Sequence, residues 1–188
     1  MTRSFSDAPV PKKLLGEVLE YATGAPSAGF SQGWAFVVLD DQKEIELFWE
    51  ITSSATWRKE TVRYVGLSKA PVIVLPLASR EAYLKRYAEP DKRFSSEHPS
   101  SWNVPYWIVD TSFATMLMLL KAAELSLGAL FFRIHKNTEK LLKHLGVPSG
   151  YEPIGAVALG WPAQPGQKPP LRAEKKRPLD EVVHFGSW

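Results

Sequence analysis

Ten residues, Ala25 to Trp34 (APSAGFSQGW), place polar side chains at close spacing among small ones. Ser27, Ser31 and Gln32 can donate and accept hydrogen bonds along the edge of a heterocycle or a polyol. The glycines and alanines between them leave room for a flat ligand to approach the backbone closely. The composition alone is also typical of an ordinary turn, so it leaves both interpretations open.

Side chains that could carry acid–base, nucleophilic or metal chemistry are sparse. The sequence has no cysteine, which excludes disulfides, thiolate metal ligands and a cysteine nucleophile. Its four histidines stand far apart without carboxylates at ligand spacing, so we expect neither a metal site nor a catalytic side chain. The glycine-rich dinucleotide fingerprint, the Walker loop and the G-x-S-x-G elbow are also missing. A protein of this kind can leave its chemistry to a bound cofactor.

A local excess of positive charge lies near the C-terminus, although the formal net charge is only +3. The basic residues of this cluster are Lys168, Arg172, Lys175, Lys176 and Arg177. Such a cluster can attract a phosphate, a nucleic acid or an anionic surface, or it can be a solvated tail. Because the charge is confined to one short segment, we do not favour a nucleic-acid partner.

The secondary structure predicted around these groups alternates between helices and strands. Helices are predicted after Pro11, Asp41 and Asn137 and over 58–69 and 109–125, and strands over 34–39, 70–79, 129–134 and 152–161. This alternation favours one α+β sandwich domain over residues 1–188, built around a single sheet. The helix at 109–125 is apolar nearly all round, so we expect it to be buried centrally or at a subunit interface.

The sequence gives no sign of a membrane-bound or exported protein. It has no apolar signal core near its start and no apolar run long enough to cross a bilayer. We therefore expect no membrane partner and a cytoplasmic location.

Several stretches, taken in order, resemble the nitroreductase family of flavoproteins. RSFSDAPVP and APSAGFSQGWAFVVLDD resemble the family's opening: an arginine-rich start ending in R-x-F-x-x-x-P-V, a helix, and A-P-S-x-x-N-x-Q-P-W before a strand. The later segments of the family are resembled by APVIVLPLAS, DTSFATMLMLLKAAELSLGALFF, LLKHLGVPSGYEPIGAVALGWP and KKRPLDEVVHFGSW. The resemblance covers nearly the whole chain, and the order of the pieces makes it specific.

The resemblance implies a nitroreductase-like fold, with a mostly antiparallel sheet flanked by helices and a long buried central helix, in an intertwined homodimer that binds FMN at its interface. The implied activity is an FMN-dependent oxidoreductase that passes electrons by ping-pong hydride transfer from NAD(P)H to nitro compounds, quinones or similar small electron-poor acceptors. The residues matching the family's FMN-binding positions are Arg3, Ser27, Ala28, Gly29, Ser31, Gln32, Leu127, Gly128, Ala129, Leu130, Lys175, Lys176 and Arg177.

Within that implied set, Arg3 and the basic residues 175–177 would bind the phosphate by charge-assisted hydrogen bonds. The matching loop residues Ser27, Ala28, Gly29, Ser31 and Gln32 would lie beneath the ribityl chain and ring. Residues 127–130 would offer backbone groups to the isoalloxazine. We expect segment 87–107 to be a mobile loop covering the open face of the flavin, and 162–188 to be an extended tail. The expected substrate-facing side chains are Phe30, Trp102, Tyr106, Trp107 and Phe132, with core packing as the alternative.

Three departures from the family pattern keep alternatives open. The basic residues that precede Arg3 in the pattern are absent, so either the true start lies upstream or phosphate affinity depends more on the tail. Phe30 replaces the family's asparagine and Gly33 its proline. The Gly-Phe pair is similar to the dimethylbenzimidazole synthase branch, which fragments its own flavin, although the turn after Gly128 differs from that branch. A flavin-fragmenting enzyme and a non-enzymatic flavin-binding protein are therefore the alternatives.

Overall fold

The computed structural model describes residues 1–92, 98–164 and 176–188. The helices are α1 (Lys12–Thr23), α2 (Gln42–Thr52), α3 (Ala55–Glu60), α4 (Val62–Leu67), α5 (Arg80–Tyr87), α6 (Tyr106–Glu124) and α7 (Thr138–His144). The strands are β1 (Trp34–Leu39), β2 (Val72–Ala78), β3 (Gly128–Phe132), β4 (Glu152–Pro153) and β5 (Ala156–Gly160). Short 3-10 turns cover Ala28–Phe30, Pro90–Lys92, Pro99–Ser101 and Leu179–Glu181.

The strands form one sheet in which the described pairs are antiparallel. Their order is β1-β2-β5-β3, and β4 pairs with the last residues of β2. Trp34 of β1 is paired with Ala78 of β2, whereas Gly128 of β3 is paired with Gly160 of β5. These two pairs mark opposite ends of the sheet, which we call the Trp34 end and the Gly128 end.

Helices cover both faces of the sheet. Successive residues of a strand point to opposite faces, so the residues of β2 divide between two cores. Ile73 and Leu75 belong to the core beneath α2 and α7, and Val72 and Val74 to the core beneath α1 and α6. This arrangement confirms the predicted α+β sandwich with an antiparallel sheet flanked by helices.

Two predicted elements are each divided in the structure. The helix predicted over 58–69 is α3 followed by α4, because Ser54 caps α3 by accepting the Trp57 N–H at 3.1 Å and Thr61 adopts an extended backbone that ends it. The strand predicted over 152–161 is β4 followed by β5. Between them the Ile154 N–H donates to the Pro76 carbonyl at 3.1 Å, and Pro76 has no N–H with which to continue the ladder.

Asn137 precedes α7 as predicted, but its side chain does not cap that helix. Its backbone is left-handed (φ 53°), a conformation that asparagine tolerates better than most residues. Its side-chain N–H₂ group donates instead to the Ile51 carbonyl at 2.8 Å. Asn137 therefore ties the start of α7 to the end of α2.

The long helix α6 begins three residues before its predicted start. Ala114, Met118 and Ala122 are buried on one face, and Met118 and Ala122 belong to the core shared with α1. On another face Phe113, Met116 and Leu120 are exposed, and Leu120 retains 57% of its accessible surface. A single copy of the chain therefore leaves an apolar stripe of α6 uncovered.

Candidate functional site

The loop Ser27–Gly33 lies at the Trp34 end of the sheet, against α5 and α6. The Ala28 N–H donates to Oδ2 of Asp110 at 2.8 Å, and Nε of Arg86 donates to the Gly29 carbonyl at 2.9 Å. Asp110 belongs to α6 and Arg86 to α5, so two helices hold adjacent residues of the loop. The family-matching loop is therefore fixed from inside the chain.

Three residues of this loop have a left-handed backbone: Gly29 (φ 62°), Phe30 (φ 57°) and Gln32 (φ 48°). A Cβ at Gly29 would come within 2.6 Å of a ring carbon of Tyr87, so only glycine fits there. For Phe30 and Gln32 the left-handed region costs roughly 1–2 kcal/mol each. Both side chains are exposed, and Phe30 retains 74% of its accessible surface. The strained loop thus presents an aromatic ring and an amide outward.

Other polar groups of the loop are engaged within it. The Gln32 N–H donates to the Ser27 hydroxyl oxygen at 2.9 Å, and the Ser31 hydroxyl donates to the Ala28 carbonyl at 2.6 Å. In the structure, Ser27, Ala28 and Ser31 therefore shape the loop, whereas the Gln32 side chain is exposed to solvent.

Asp110 and Tyr83 form a buried pair beneath the loop. Asp110 is only 3% exposed, and its Oδ2 also accepts the Tyr83 hydroxyl at 2.7 Å. Burial of Tyr83 is the main cause that raises its phenol pKa above the usual range, and the hydrogen bond to Asp110 adds to the shift. Sequence reasoning missed both Asp110 and α5. The signal for Asp110 was a carboxylate among the apolar residues in the first half of α6, since a buried charge needs partners.

Replacing Tyr83 with phenylalanine is expected to reduce the loss of stability at alkaline pH. The folded state keeps the phenol neutral, whereas an unfolded tyrosine ionises near pH 10.0. Above that pH the unfolded state binds fewer protons than the folded state, so the free energy of unfolding falls as pH rises. Denaturant unfolding at about pH 8 and about pH 11 measures this loss, which should be smaller in Y83F than in the wild type. Y21F is the exposed control, and equal losses in Y83F and wild type would contradict the expectation.

An aromatic group lies beside the loop at the same end of the sheet. The ring of Trp102 makes edge-to-face contacts with Tyr83, Tyr87 and Tyr106, at centroid distances of 6.1, 5.0 and 5.2 Å. Trp107 meets Tyr83 at 6.5 Å. The structure thus brings together Trp102, Tyr106 and Trp107, three of the expected substrate-facing residues. Residues 93–97 of the expected covering loop lie outside the described residues.

Phe132 belongs to a different aromatic group. Its ring stacks on Trp49 at a centroid distance of 5.5 Å and an interplanar angle of 10°, and it meets Phe48 edge-on at 6.2 Å. It packs against the core beneath α2. Within the described part of one chain, Phe132 is therefore grouped with α2 rather than with Trp102.

The second half of the family-matching set, Arg3 with residues 127–130, lies at the Gly128 end. The Thr2 N–H donates to the Ala129 carbonyl at 2.9 Å, and a Cβ on Gly128 would come within 2.6 Å of the Thr2 hydroxyl oxygen. Arg3 follows at once, with its carbonyl against Gly66 of α4 and its side chain exposed. The flanking residues Leu127 and Leu130 are buried. An exposed cation therefore lies close to the turn at Gly128.

The two halves are far apart within one chain. Strand β2 measures the separation. At one end, Val72 pairs with Leu159 of β5, which also pairs with Ala129. At the other end, Ala78 pairs with Trp34. The six residue steps from Val72 to Ala78, at about 3.3 Å each, correspond to a distance of about 20 Å along the strand. A single flavin ring cannot contact both the loop and the turn at Gly128 in the same copy.

The described part of the tail, residues 176–188, is exposed throughout. Nε of Arg177 lies 3.2 Å from Oε2 of Glu181, and its Nη2 donates to the Glu181 carbonyl at 2.7 Å. Lys176 is exposed, whereas Lys175 lies outside the described residues, as do Lys168 and Arg172. The exposed apolar residues of the tail are Leu179, Val182, Val183, Phe185 and Trp188.

Neither a metal site nor a membrane span is found in the ranges that the structure describes. Histidine and acidic side chains there do not gather in any group of three or more that could hold a metal ion. Among the helices of the same ranges, none is long and apolar enough to cross a bilayer.

Comparisons with known proteins agree with this architecture. The chain is 24% identical over 191 residues to a NADH dehydrogenase/NAD(P)H nitroreductase of Methanothermobacter thermautotrophicus, covering 99% of this chain and 82% of that protein. A nitroreductase family protein of Clostridium difficile 630 has a TM-score of 0.72 and 24% identity, over 100% of this chain and 93% of that one.

A further solved structure, an FMN-dependent nitroreductase of Clostridium difficile R20291, has a TM-score of 0.70 and 21% identity, over 100% of this chain and 94% of that one. These similarities confirm the nitroreductase-like fold. The model of the nitroreductase family itself matches residues 1–161. The chain belongs to the nitroreductase family.

Proposed function

We propose that the protein is an FMN-dependent NAD(P)H oxidoreductase, which acts as a homodimer on small electron-poor acceptors such as nitro compounds or quinones. One observation carries the proposal: a chain of the nitroreductase family exposes Phe30 and Gln32 at one end of its sheet and Arg3 at the other. Relatives named as an NAD(P)H nitroreductase and an FMN-dependent nitroreductase support it.

The exposed groups fit the chemistry of FMN. The Gln32 amide can both donate and accept hydrogen bonds, as the edge of an isoalloxazine requires. Phe30 offers a flat apolar surface to the ring, and Arg3 and Lys176 offer cations to a phosphate monoester. When bound, FMN supplies the hydride-transfer chemistry between NAD(P)H and the acceptor. The side chains of this protein would hold and orient the partners of that transfer.

A second copy would supply the flavin-contacting groups that lie too far away within one chain. Because the loop and the turn at Gly128 lie about 20 Å apart, a ring bound at one end needs the other half from a partner copy. The exposed stripe Phe113, Met116 and Leu120 on α6 gives an apolar surface for such a contact. The exposed apolar residues of the tail give a second one. Both observations support the proposed homodimer.

The aromatic group beside the loop supports the proposal that the acceptors are planar molecules. Trp102, Tyr106 and Trp107 lie next to the loop that presents Phe30, on the side where we propose that substrates approach. Flat apolar surfaces exclude water and favour aromatic or quinoid molecules over flexible polar ones. The described residues of segment 87–107 would form part of the proposed cover over the open face of the flavin.

Flavin binding and reduction test the proposed function. Protein mixed with excess FMN and then desalted should keep a flavin absorbance band, and anaerobic NADH or NADPH should bleach it. Addition of a quinone should restore the band without further NAD(P)H. Protein that retains no FMN would contradict the proposal, and a bound flavin that neither nucleotide bleaches would indicate a non-enzymatic flavin-binding protein.

The flavin-fragmenting alternative rests on the Gly29–Phe30 pair, whose aromatic ring is exposed at the proposed site. Aerobic incubation with FMN and excess NADPH separates the two activities. An oxidoreductase should leave the amount of FMN constant over many turnovers, whereas a flavin-fragmenting enzyme would consume it. Chromatography of the released flavin measures the difference.

A further inference from the structure

We propose that Asp110 is a positioning residue for the loop Ser27–Gly33. From its buried place in α6 it would hold the loop in the conformation that presents Phe30 and Gln32 outward. The inference deepens the proposed function, because the ligand that these two side chains would meet is FMN. The contacts that carry it lie within one chain.

Burial and hydrogen bonding show how Asp110 can do this. A carboxylate that is 3% exposed is costly unless its oxygens are well hydrogen-bonded. Two donors converge on Oδ2: the Ala28 N–H at 2.8 Å and the Tyr83 hydroxyl at 2.7 Å. Bonds to an ionised acceptor are about twice as strong as bonds between neutral groups. Asp110 therefore joins the loop, α5 and α6 at one atom.

The contact between Asp110 and Ala28 lies directly before the strained residues of the loop. Ala28 directly precedes the left-handed run that begins at Gly29 and includes Phe30. Strained residues persist only where the surroundings fix them on both sides. After the run, the Ser79 N–H fixes the Gly33 carbonyl at 2.7 Å. Removal of the Asp110 contact would free one side of the run and let it relax to ordinary backbone angles.

Arg86 supports the same loop at a second point and is itself fixed. Its guanidinium donates to Asp91 at 2.7 Å and to Glu89 at 2.8 Å while its Nε holds the Gly29 carbonyl. Arg86 thus prevents complete release of the loop when Asp110 is replaced. The expected result is a local change in the loop rather than loss of the fold.

The test compares D110A and D110N with T115A. Thr115 is a matched control because it lies in the same helix, is 4% exposed, and donates its hydroxyl to the Thr111 carbonyl within the helix. FMN affinity is measured by flavin fluorescence quenching. Hydrogen exchange of amides 27–33 is measured in the flavin-free protein, together with the thermal midpoint.

D110A is expected to weaken FMN binding at least about tenfold and to speed exchange of the loop amides, whereas T115A should change affinity less than about twofold. D110N keeps an acceptor oxygen but no charge, so it should recover part of both losses. It also keeps the test decisive if D110A does not fold. Unchanged loop exchange and unchanged FMN affinity in the Asp110 variants would overturn the inference.

A further substitution tests the role of backbone strain at Phe30. Asparagine tolerates the left-handed region better than phenylalanine does. F30N added to D110A should therefore restore part of the protection of the loop amides from hydrogen exchange that D110A loses. No restoration would contradict the role of strain. A wild type that binds no FMN would contradict the proposed function, whereas loop exchange in the flavin-free protein would still decide the role of Asp110.

Discussion

L120E is expected to yield a monomer that binds FMN at least about a hundredfold more weakly than the wild type. Leu120 is 57% exposed in a single chain and shares the α6 stripe with Phe113 and Met116. Burial of a new carboxylate between two such stripes would cost several kcal/mol, enough to separate the copies at micromolar concentration. Each isolated copy would then hold only half of the groups proposed to contact the flavin.

Light scattering after size-exclusion chromatography measures the mass of L120E, and fluorescence titration measures its FMN affinity. K140E is the control, because it also adds a carboxylate to an exposed helical position, but on α7 at the opposite face of the sheet. K140E should remain dimeric and bind FMN as the wild type does. An L120E protein that is still dimeric would show that the stripe on α6 is not the interface.

Neutralisation of the basic tail, by K175Q, K176Q and R177Q together, is expected to weaken FMN binding by roughly tenfold to a hundredfold. The same variant should bind riboflavin as well as the wild type does, because riboflavin lacks the phosphate. Lys176 and Arg177 are exposed, and Arg177 engages only the nearby Glu181 among the ion pairs of the described residues. These cations are therefore available to a dianionic ligand.

The control for the tail variant carries the same change of charge elsewhere: R133Q, K140Q and K143Q, all at exposed positions. Its FMN affinity should stay near that of the wild type. The tail variant should also show a weaker dependence of FMN affinity on salt, since fewer ionic contacts remain to be screened. An equal loss for FMN and riboflavin would place the tail near the ring instead of the phosphate.

Much of the fold could be predicted because local signals and tertiary packing agree. The apolar run over 34–39 matches both ends of β1, and Pro11 with Gly24 brackets α1 as predicted. The prediction was less accurate where a single backbone feature determines where a helix or strand ends. The extended backbone at Thr61 divides one predicted helix, and Pro76 with its missing N–H separates β4 from β5.

The candidate site was accessible to sequence reasoning only in part. The outward-facing loop has a distinctive composition and a family pattern, so Phe30 and Gln32 could be selected from the sequence. The sequence shows Asp110 as a carboxylate in an apolar helix, but the roles of Asp110 and Arg86 could not be predicted, because they depend on contacts across 82 and 57 residues of chain. The separation of the two halves follows from strand register, which helix and strand periodicity do not specify.

The distance between the loop and the turn at Gly128 has a genetic consequence. In the proposed homodimer, a copy damaged only in its loop and a copy damaged only near Arg3 would each be inactive alone. A mixed pair would contain one flavin site with both defects and one flavin site with neither. Random mixing of the two inactive proteins should therefore restore about a quarter of the wild-type sites. Such complementation between mutant alleles would arise from geometry alone, without repair of either polypeptide.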